Sequence, residues 1–246
     1  THIDGNGKTI THFAPEAFVG DDQSTAASYP SLFGVLYGSC KNLTIKDSKI
    51  IATAKTPSCG FLGGYVGTSG KPALVENVHV EGEISGGSCL GGFGGQSREG
   101  TFKNCTSKVK ITSGGTDVGG FIGKTAVSTH LENCTAEVEL VPTETVSGNL
   151  RYAGIVGYTT GNSMKVINCS AKGTITSVGK SVRTAGGIVA YAGAGECEVS
   201  NCFSDVSVLG GNVSNTGGIC GVASCATSLL IQNCYSTGEF EVYQVN

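Results

Sequence analysis

The sequence predicts an all-β chain wound as a parallel β-helix, a β-solenoid of about seven coils of roughly 27–35 residues each. Three observations carry this. An asparagine followed by an alternating strand recurs at Asn42, Asn77, Asn104, Asn133, Asn168, Asn201 and Asn233. A glycine-flanked apolar motif precedes most of these asparagines by about ten residues. Charge on one face of the alternating strand changes sign from copy to copy.

The glycine motif reads GGYVG at Gly63, GGFGG at Gly91, GGFIG at Gly119, AGIVG at Ala153, GGIVA at Gly186 and GGICG at Gly217. LFG at Leu32 begins the series, and GFLG at Gly60 competes with Gly63 for the register of its coil. Glycine at such a place lets backbones pass closely or bend. Each unit therefore reads as glycine-flanked strand, variable turn, Asn, alternating strand, variable loop.

Side chains of a strand alternate between its faces. One step after Asn stand Leu43, Val78, Cys105, Cys134, Cys169, Cys202 and Cys234. Three steps after stand Ile45, Val80, Ser107, Ala136, Ala171, Ser204 and Ser236. Seven steps after stand Ile84, Ile111, Leu140, Ile175, Val208 and Phe240, with Ile50 one place late in the first copy. This parity is apolar or small, so it points inward. The other parity begins Thr44, His79, Thr106, Thr135, Ser170, Phe203 and Tyr235.

The fourth step reads Lys46, Glu81, Lys108, Glu137, Lys172, Asp205 and Thr237, and the sixth step repeats the pattern with Glu83, Lys110 and Glu139. Independent domains have no reason to coordinate charge between copies. Copies stacked in register, about 4.8 Å apart, do: like charges would repel, and each opposite pair adds a few tenths of a kcal/mol. Neighbouring coils are then what buries each inner face.

Cysteine is small, apolar and often buried, so Cys105, Cys134, Cys169, Cys202 and Cys234 read as a reduced core column. The asparagines read as a ladder at a bend, where Asn tolerates unusual backbone angles and its amide can bond the copy above. Asn42, Asn104, Asn133, Asn168 and Asn212 also sit in N-x-S/T sequons, a rival reading that the repeat itself explains for the first four. The off-column cysteines fall in adjacent coils. Cys59 and Cys89 precede the glycine strand, and Cys197 and Cys225 follow it, so either pair is a candidate inter-coil disulfide if the chain is exported.

Composition narrows the function. The chain has 246 residues, net charge −3, 39 Gly, 11 Cys, no Trp and one Met. No basic balance favours nucleic acid. No run of apolar residues is long enough for a membrane-spanning helix, and no signal peptide is seen. The start at Thr1 reads as a mature form or an excised fragment. No HExxH joins His2, His12, His79 and His130, no Cys-x-x-Cys occurs, and DGNGK at Asp4 puts Lys8 where a calcium ligand is needed. No catalytic residue, cofactor or metal is expected. Acids and bases that break the columns, namely Asp21, Asp22, Arg98, Glu99, Asp117 and Arg151, look scattered along the chain. The outward columns hold no regular Thr rows of the kind an ice-binding face needs. Exposed aromatics can stack on sugars or proteins. His79, Phe203 and Tyr235 form the candidate partner-binding surface, with Tyr158 and Tyr191 after the glycine motif as further candidates.

The segments GGIVA…NCFSDVSV and GGICG…NCYSTGEF, with IDGNGKTI, LFG and KNLTIKDSKI at the start, resemble the GLUG repeats of bacterial surface proteins. The resemblance spans nearly the whole chain. It implies secretion or cell-surface display and a β-helix that is right-handed, as parallel connections generally are. It includes adhesin-like proteins and noncatalytic stretches beside the peptidase domain of IgA-cleaving metallopeptidases. The expectation is one domain, 1–246, that forms a stalk or adhesin module without catalysis. Its expected partners are flanking domains of the same chain, a host or matrix protein or glycan, or another copy end to end, and no nucleic acid. The alternative is a carbohydrate-active β-helix enzyme, a polysaccharide lyase or glycoside hydrolase, by analogy of fold.

Overall fold

The computed structural model describes residues 2–15, 29–52, 58–143, 149–177 and 181–242. Among them there is no helix; the ordered elements are strands, which form one 18-stranded and one 6-stranded sheet. A single coil shows the plan. A short strand, Cys89–Gly91, leads through the glycine motif into Gly94–Lys103, which ends at Asn104 and continues as Thr106–Ser113. The next coil repeats it as Asp117–Gly119, Ile122–Glu132 and Thr135–Pro142. Equivalent strands pair in parallel, and the register is the one the columns require: Thr135 pairs with Thr106 on one side and Ser170 on the other. The chain is a parallel β-solenoid.

The bend is made by asparagine. All seven repeat asparagines have φ between 51° and 54°, the left-handed region that Asn enters more readily than other side chains. Their amides form a ladder along the solenoid. Nδ2 of Asn77 donates to Oδ1 of Asn42 at 2.8 Å, that of Asn168 to Asn133 at 3.2 Å, and that of Asn201 to Asn168 at 3.0 Å. Asn42 in turn donates to Oδ1 of Asp4 at 3.1 Å, so the DGNG segment caps the ladder. The segment is a turn-like bulge, with φ of 49° at Asn6 and 68° at Gly7. The ladder engages the very Nδ2 atoms that glycosylation of these sequons would modify.

The cysteines have a second role beside packing. Each column thiol donates to the carbonyl two residues back, just before the bend: Cys105 to Lys103 at 3.1 Å, Cys169 to Ile167 at 3.2 Å and Cys202 to Ser200 at 3.2 Å. The sulfur also accepts. The Cys134 N–H reaches Sγ of Cys169, and the Cys202 N–H reaches Sγ of Cys234, each at 3.4 Å. A thiol fills the core and serves the polar backbone at the bend, which Ala or Val could not do.

The inner parity is buried as expected. Ile84, Ile111, Leu140, Ile175 and Val208 line one inner row, while Phe240 in the last coil is 39% exposed. Phe93 stacks on Phe121 with centroids 4.7 Å apart. Glycine is required where coils cross: a Cβ on Gly120 would strike the carbonyl of Gly154, and Gly173, at φ 124°, would strike that of Val138. GFLG at Gly60, not GGYVG at Gly63, is the copy in register, since Gly63 pairs with Gly94 and the Phe61 N–H bonds the Gly92 carbonyl.

The charge column is present as cross-coil ion pairs. Lys108 lies 3.8 Å from both Glu81 and Glu137, and Lys172 lies 3.0 Å from Glu137. Lys110 meets Glu139 at 2.6 Å. Lys46 departs from the expectation. A bulge between Ile45 and Ser48, with Asp47 at φ 50°, shifts the first copy and aligns Lys49 with Glu83 instead. A third alternating column precedes the asparagine, with Lys41–Glu76 at 2.6 Å and Lys103–Glu132 at 3.1 Å.

All eleven cysteines are free thiols. Cys59 and Cys89 do not share a rung: Cys59 pairs with Leu90, and Ser58 with Cys89, so one step of offset turns the two side chains to opposite faces. Cys197 and Cys225, by contrast, lie close enough that, after burial, the Cys197 thiol helps to raise the Cys225 pKa.

Candidate functional site

Two outward rows carry the side chains of interest. The first follows the asparagine bend. Thr44, His79, Thr106, Thr135, Ser170, Phe203 and Tyr235 stand in register as one line across seven coils. Phe203 and Tyr235 touch, with ring centroids 4.6 Å apart and planes tilted by 35°. Tyr235 is 63% exposed, the most open large apolar side chain among the described residues. His79 is not with them. Four rungs, roughly 19 Å, separate it from Phe203, and its Nδ1 is hydrogen-bonded to Thr106 Oγ1 at 2.6 Å.

The second row arises at the glycine motif. There the chain turns so tightly that a Cβ on Gly157 would come within 2.7 Å of the Val118 nitrogen. The short strand and the start of the next strand are thereby held backbone to backbone. Asp117 and Arg151 are partners in the short-strand ladder. Tyr65, Gln96, Lys124, Tyr158 and Tyr191 form the row on the following strand. Arg151 Nε donates to Asp117 Oδ1 at 2.6 Å, and its guanidinium lies 3.6 Å from the centroid of the Tyr158 ring. Tyr158 meets Tyr191 edge-on at 5.4 Å, and Lys124 Nζ sits 5.5 Å over the Tyr158 ring.

Asp117 and Arg151 are thus adjacent, not scattered. Arg98 lies at the other end of the same face, 4.9 Å over Tyr65, and the Glu99 carboxylate accepts the Gly70 N–H at 3.1 Å. Asp21 and Asp22 lie outside the described residues. The signal for this cluster was present in the spacing. Cys89, Asp117 and Arg151 each stand two residues before Gly91, Gly119 and Ala153, which is a column like the others. Lys124, Gln96 and Tyr65 went unremarked in the sequence because their types differ from coil to coil.

The electrostatics of this corner follow from burial. Asp117 is 3% exposed. Desolvation raises its pKa above the ordinary carboxylate value, although Arg151 pulls the other way. Burial, with Asp117 beside it, pushes the Cys89 thiol up to about 12. Cys89 lacks the lowered pKa of a poised nucleophile, and Asp117, 3% exposed and bonded to Arg151, has little surface to offer a substrate.

A groove of about 620 Å³ runs over Gly82 and Gly173 on the face after the bend. Its walls are the fourth- and sixth-step columns, so Lys108, Lys110, Glu137 and Glu139 there already face one another. Among the described residues, no cluster of three or more His, Cys, Asp or Glu has the geometry to hold a metal ion.

Comparison with known proteins agrees with this architecture. The family model of the GLUG motif matches residues 86–112. That span is nearly one coil, from the turn before Cys89 through the glycine motif and Asn104 to the inward Ile111. No curated protein matches the chain. The crystal structure of a candidate immunoglobulin A1 protease from Bacteroides ovatus superposes with a TM-score of 0.63, over 95% of this chain and 68% of that one, at 21% identity. A likeness at that identity is one of fold. The chain is a parallel β-solenoid that carries the GLUG motif at residues 86–112.

Proposed function

We propose that this solenoid is a noncatalytic structural and adhesive segment of an extracellular, cell-surface protein. The observation that carries the adhesive part is the Phe203–Tyr235 pair. Two aromatic rings in adjacent coils end a row otherwise made of Thr, Ser and His79, in contact with each other, Tyr235 open to solvent and Phe203 half-buried. Such a platform suits stacking on a sugar ring or on a partner protein. The structural part rests on the fate of the polar groups. Amides, thiols and column carboxylates are engaged coil to coil, as a stack of coils requires. The GLUG motif supports a surface location. The last coil, with Leu230, Ile231 and Val242 exposed, is the end that meets flanking sequence of the same chain or a second copy.

The test is retention on an array of glycans and extracellular-matrix proteins, with a Phe203→Ser/Tyr235→Ser variant beside the parent. Retention of the parent and its loss in the variant is the expected result. Equal retention of both, or of neither, contradicts the adhesive reading. The release of reducing sugar or unsaturated product from a polysaccharide panel would favour the carbohydrate-active enzyme instead.

A further inference from the structure

On the face after the bend, four lysines are matched by glutamates: Lys49, Lys108, Lys110 and Lys172 each form a cross-coil ion pair. On the glycine-motif face the cations meet tyrosines instead. Lys124 lies over Tyr158 and Arg98 over Tyr65, and neither forms an ion pair among the described residues. Arg151 is held by Asp117 through Nε, with its guanidinium carbon 3.6 Å from the centroid of the Tyr158 ring and its side chain 13% exposed. Against Arg98, Lys124 and Arg151 stand the acids Asp117 and Glu99, so the face keeps one surplus positive charge on an aromatic floor, and the Gln96 amide is held in the same row by its bond to Ser58 Oγ at 2.9 Å.

The geometry points to a binding site for an acidic saccharide, a short uronic-acid chain lying along the solenoid axis over Tyr65, Gln96, Lys124 and Tyr191. The four rungs from Tyr65 to Tyr191 span roughly 19 Å, enough for an oligosaccharide and far more than one sugar ring needs. Carboxylates of the chain meet the Lys124 ammonium and the small exposed part of the Arg151 guanidinium. The apolar faces of its rings lie against tyrosine, and its hydroxyls meet Gln96. A purely anionic ligand without rings would leave the tyrosines unused, and a neutral sugar would leave the cations unused. This site lies on a different face from Phe203 and Tyr235 and does not depend on them.

The experiment is titration of the whole chain with tetragalacturonate by calorimetry, with cellotetraose and a short polyphosphate as comparators. The expected result is binding of tetragalacturonate that weakens as salt rises, with weaker binding of both comparators. Lys124→Gln and Tyr191→Ser should each lower the affinity about tenfold, whereas Lys110→Gln on the opposite columns should leave it unchanged. Absence of tetragalacturonate binding overturns the proposal. So does equal binding of cellotetraose or polyphosphate, or an affinity that survives both Lys124→Gln and Tyr191→Ser.

Discussion

The backbone N–H of Cys134 donates to the sulfur of Cys169 in the next coil at 3.4 Å, and that thiol donates to the Ile167 carbonyl at 3.2 Å. This relationship explains why Asn and Cys travel together through five coils. Asparagine supplies the left-handed bend, and the residue after it must be small, inward and able to bond the backbone on both sides. Cys169→Ala should leave the Cys134 N–H buried without a partner and cost about 1–3 kcal/mol. Cys169→Ser keeps a group that both accepts and donates and should cost less. Urea unfolding of the two variants checks the order; a Ser variant less stable than the Ala variant contradicts the hydrogen-bonding role.

Glu137 sits between Lys108 at 3.8 Å and Lys172 at 3.0 Å. Glu137→Lys would place three lysines in one line. All three side chains are well exposed, so the expected loss is only about 1 kcal/mol, larger at low ionic strength and fading as salt screens the repulsion. Stability that is unchanged at low salt would contradict the paired column.

The buried thiols make stability depend on alkaline pH. Burial pushes Cys59 and Cys202 each up to about 12, whereas an unfolded thiol ionises near its ordinary value of about 8.5. Between those values the unfolded chain has lost its protons and the folded chain keeps them. Stability is therefore fully present below about pH 8.5 and falls as pH rises towards 12. The urea midpoint should drop steadily across that window. In the native chain a thiol reagent should react first with the partly exposed Cys220, Cys225 and Cys234, slowed at Cys220 and Cys225 because burial raises them to about 11 and about 12, and with all eleven after unfolding.

Arg151→Ala would leave Asp117 buried without its cation, a loss of about 3–5 kcal/mol at neutral pH. Burial already raises the Asp117 pKa, and removing Arg151 raises it further. A carboxyl whose folded pKa lies above its unfolded value costs nothing below the unfolded value and becomes destabilising as pH rises past it. The deficit of Arg151→Ala relative to the parent should therefore shrink on acidification to about pH 4. A deficit that is flat with pH contradicts the buried pair.

The sequence made the bend legible because a left-handed residue has few substitutes: each repeat Asn falls at the same φ. It made the inner and outer parities legible because burial tolerates little variation. The short strands before the glycine motif were harder to see, since two or three residues, such as Ser58–Cys59, cannot display a period. The corner they build was missed for a related reason. Asp117 and Arg151 lie 34 residues apart in sequence, and only the tight turn at the glycines brings them against Tyr158. In the outward rows, what repeats is position, while the residue type changes from Gln96 to Lys124 to Tyr158. The bulge that misaligns Lys46 also left no clear mark in the sequence beyond the late Ile50.

Every part of this account rests on neighbouring coils being stacked in register about one asparagine-to-asparagine repeat apart. The most direct measurement is a nuclear Overhauser contact between the side-chain amide protons of Asn168 and those of Asn133, whose Nδ2 and Oδ1 are 3.2 Å apart. The account predicts a strong contact across these 35 residues, with Asn168 also seeing Asn201 and with no contact to Asn104, two coils away. Absence of the Asn133–Asn168 contact, with both amides assigned and the chain folded, would contradict the ladder and the stacked solenoid with it.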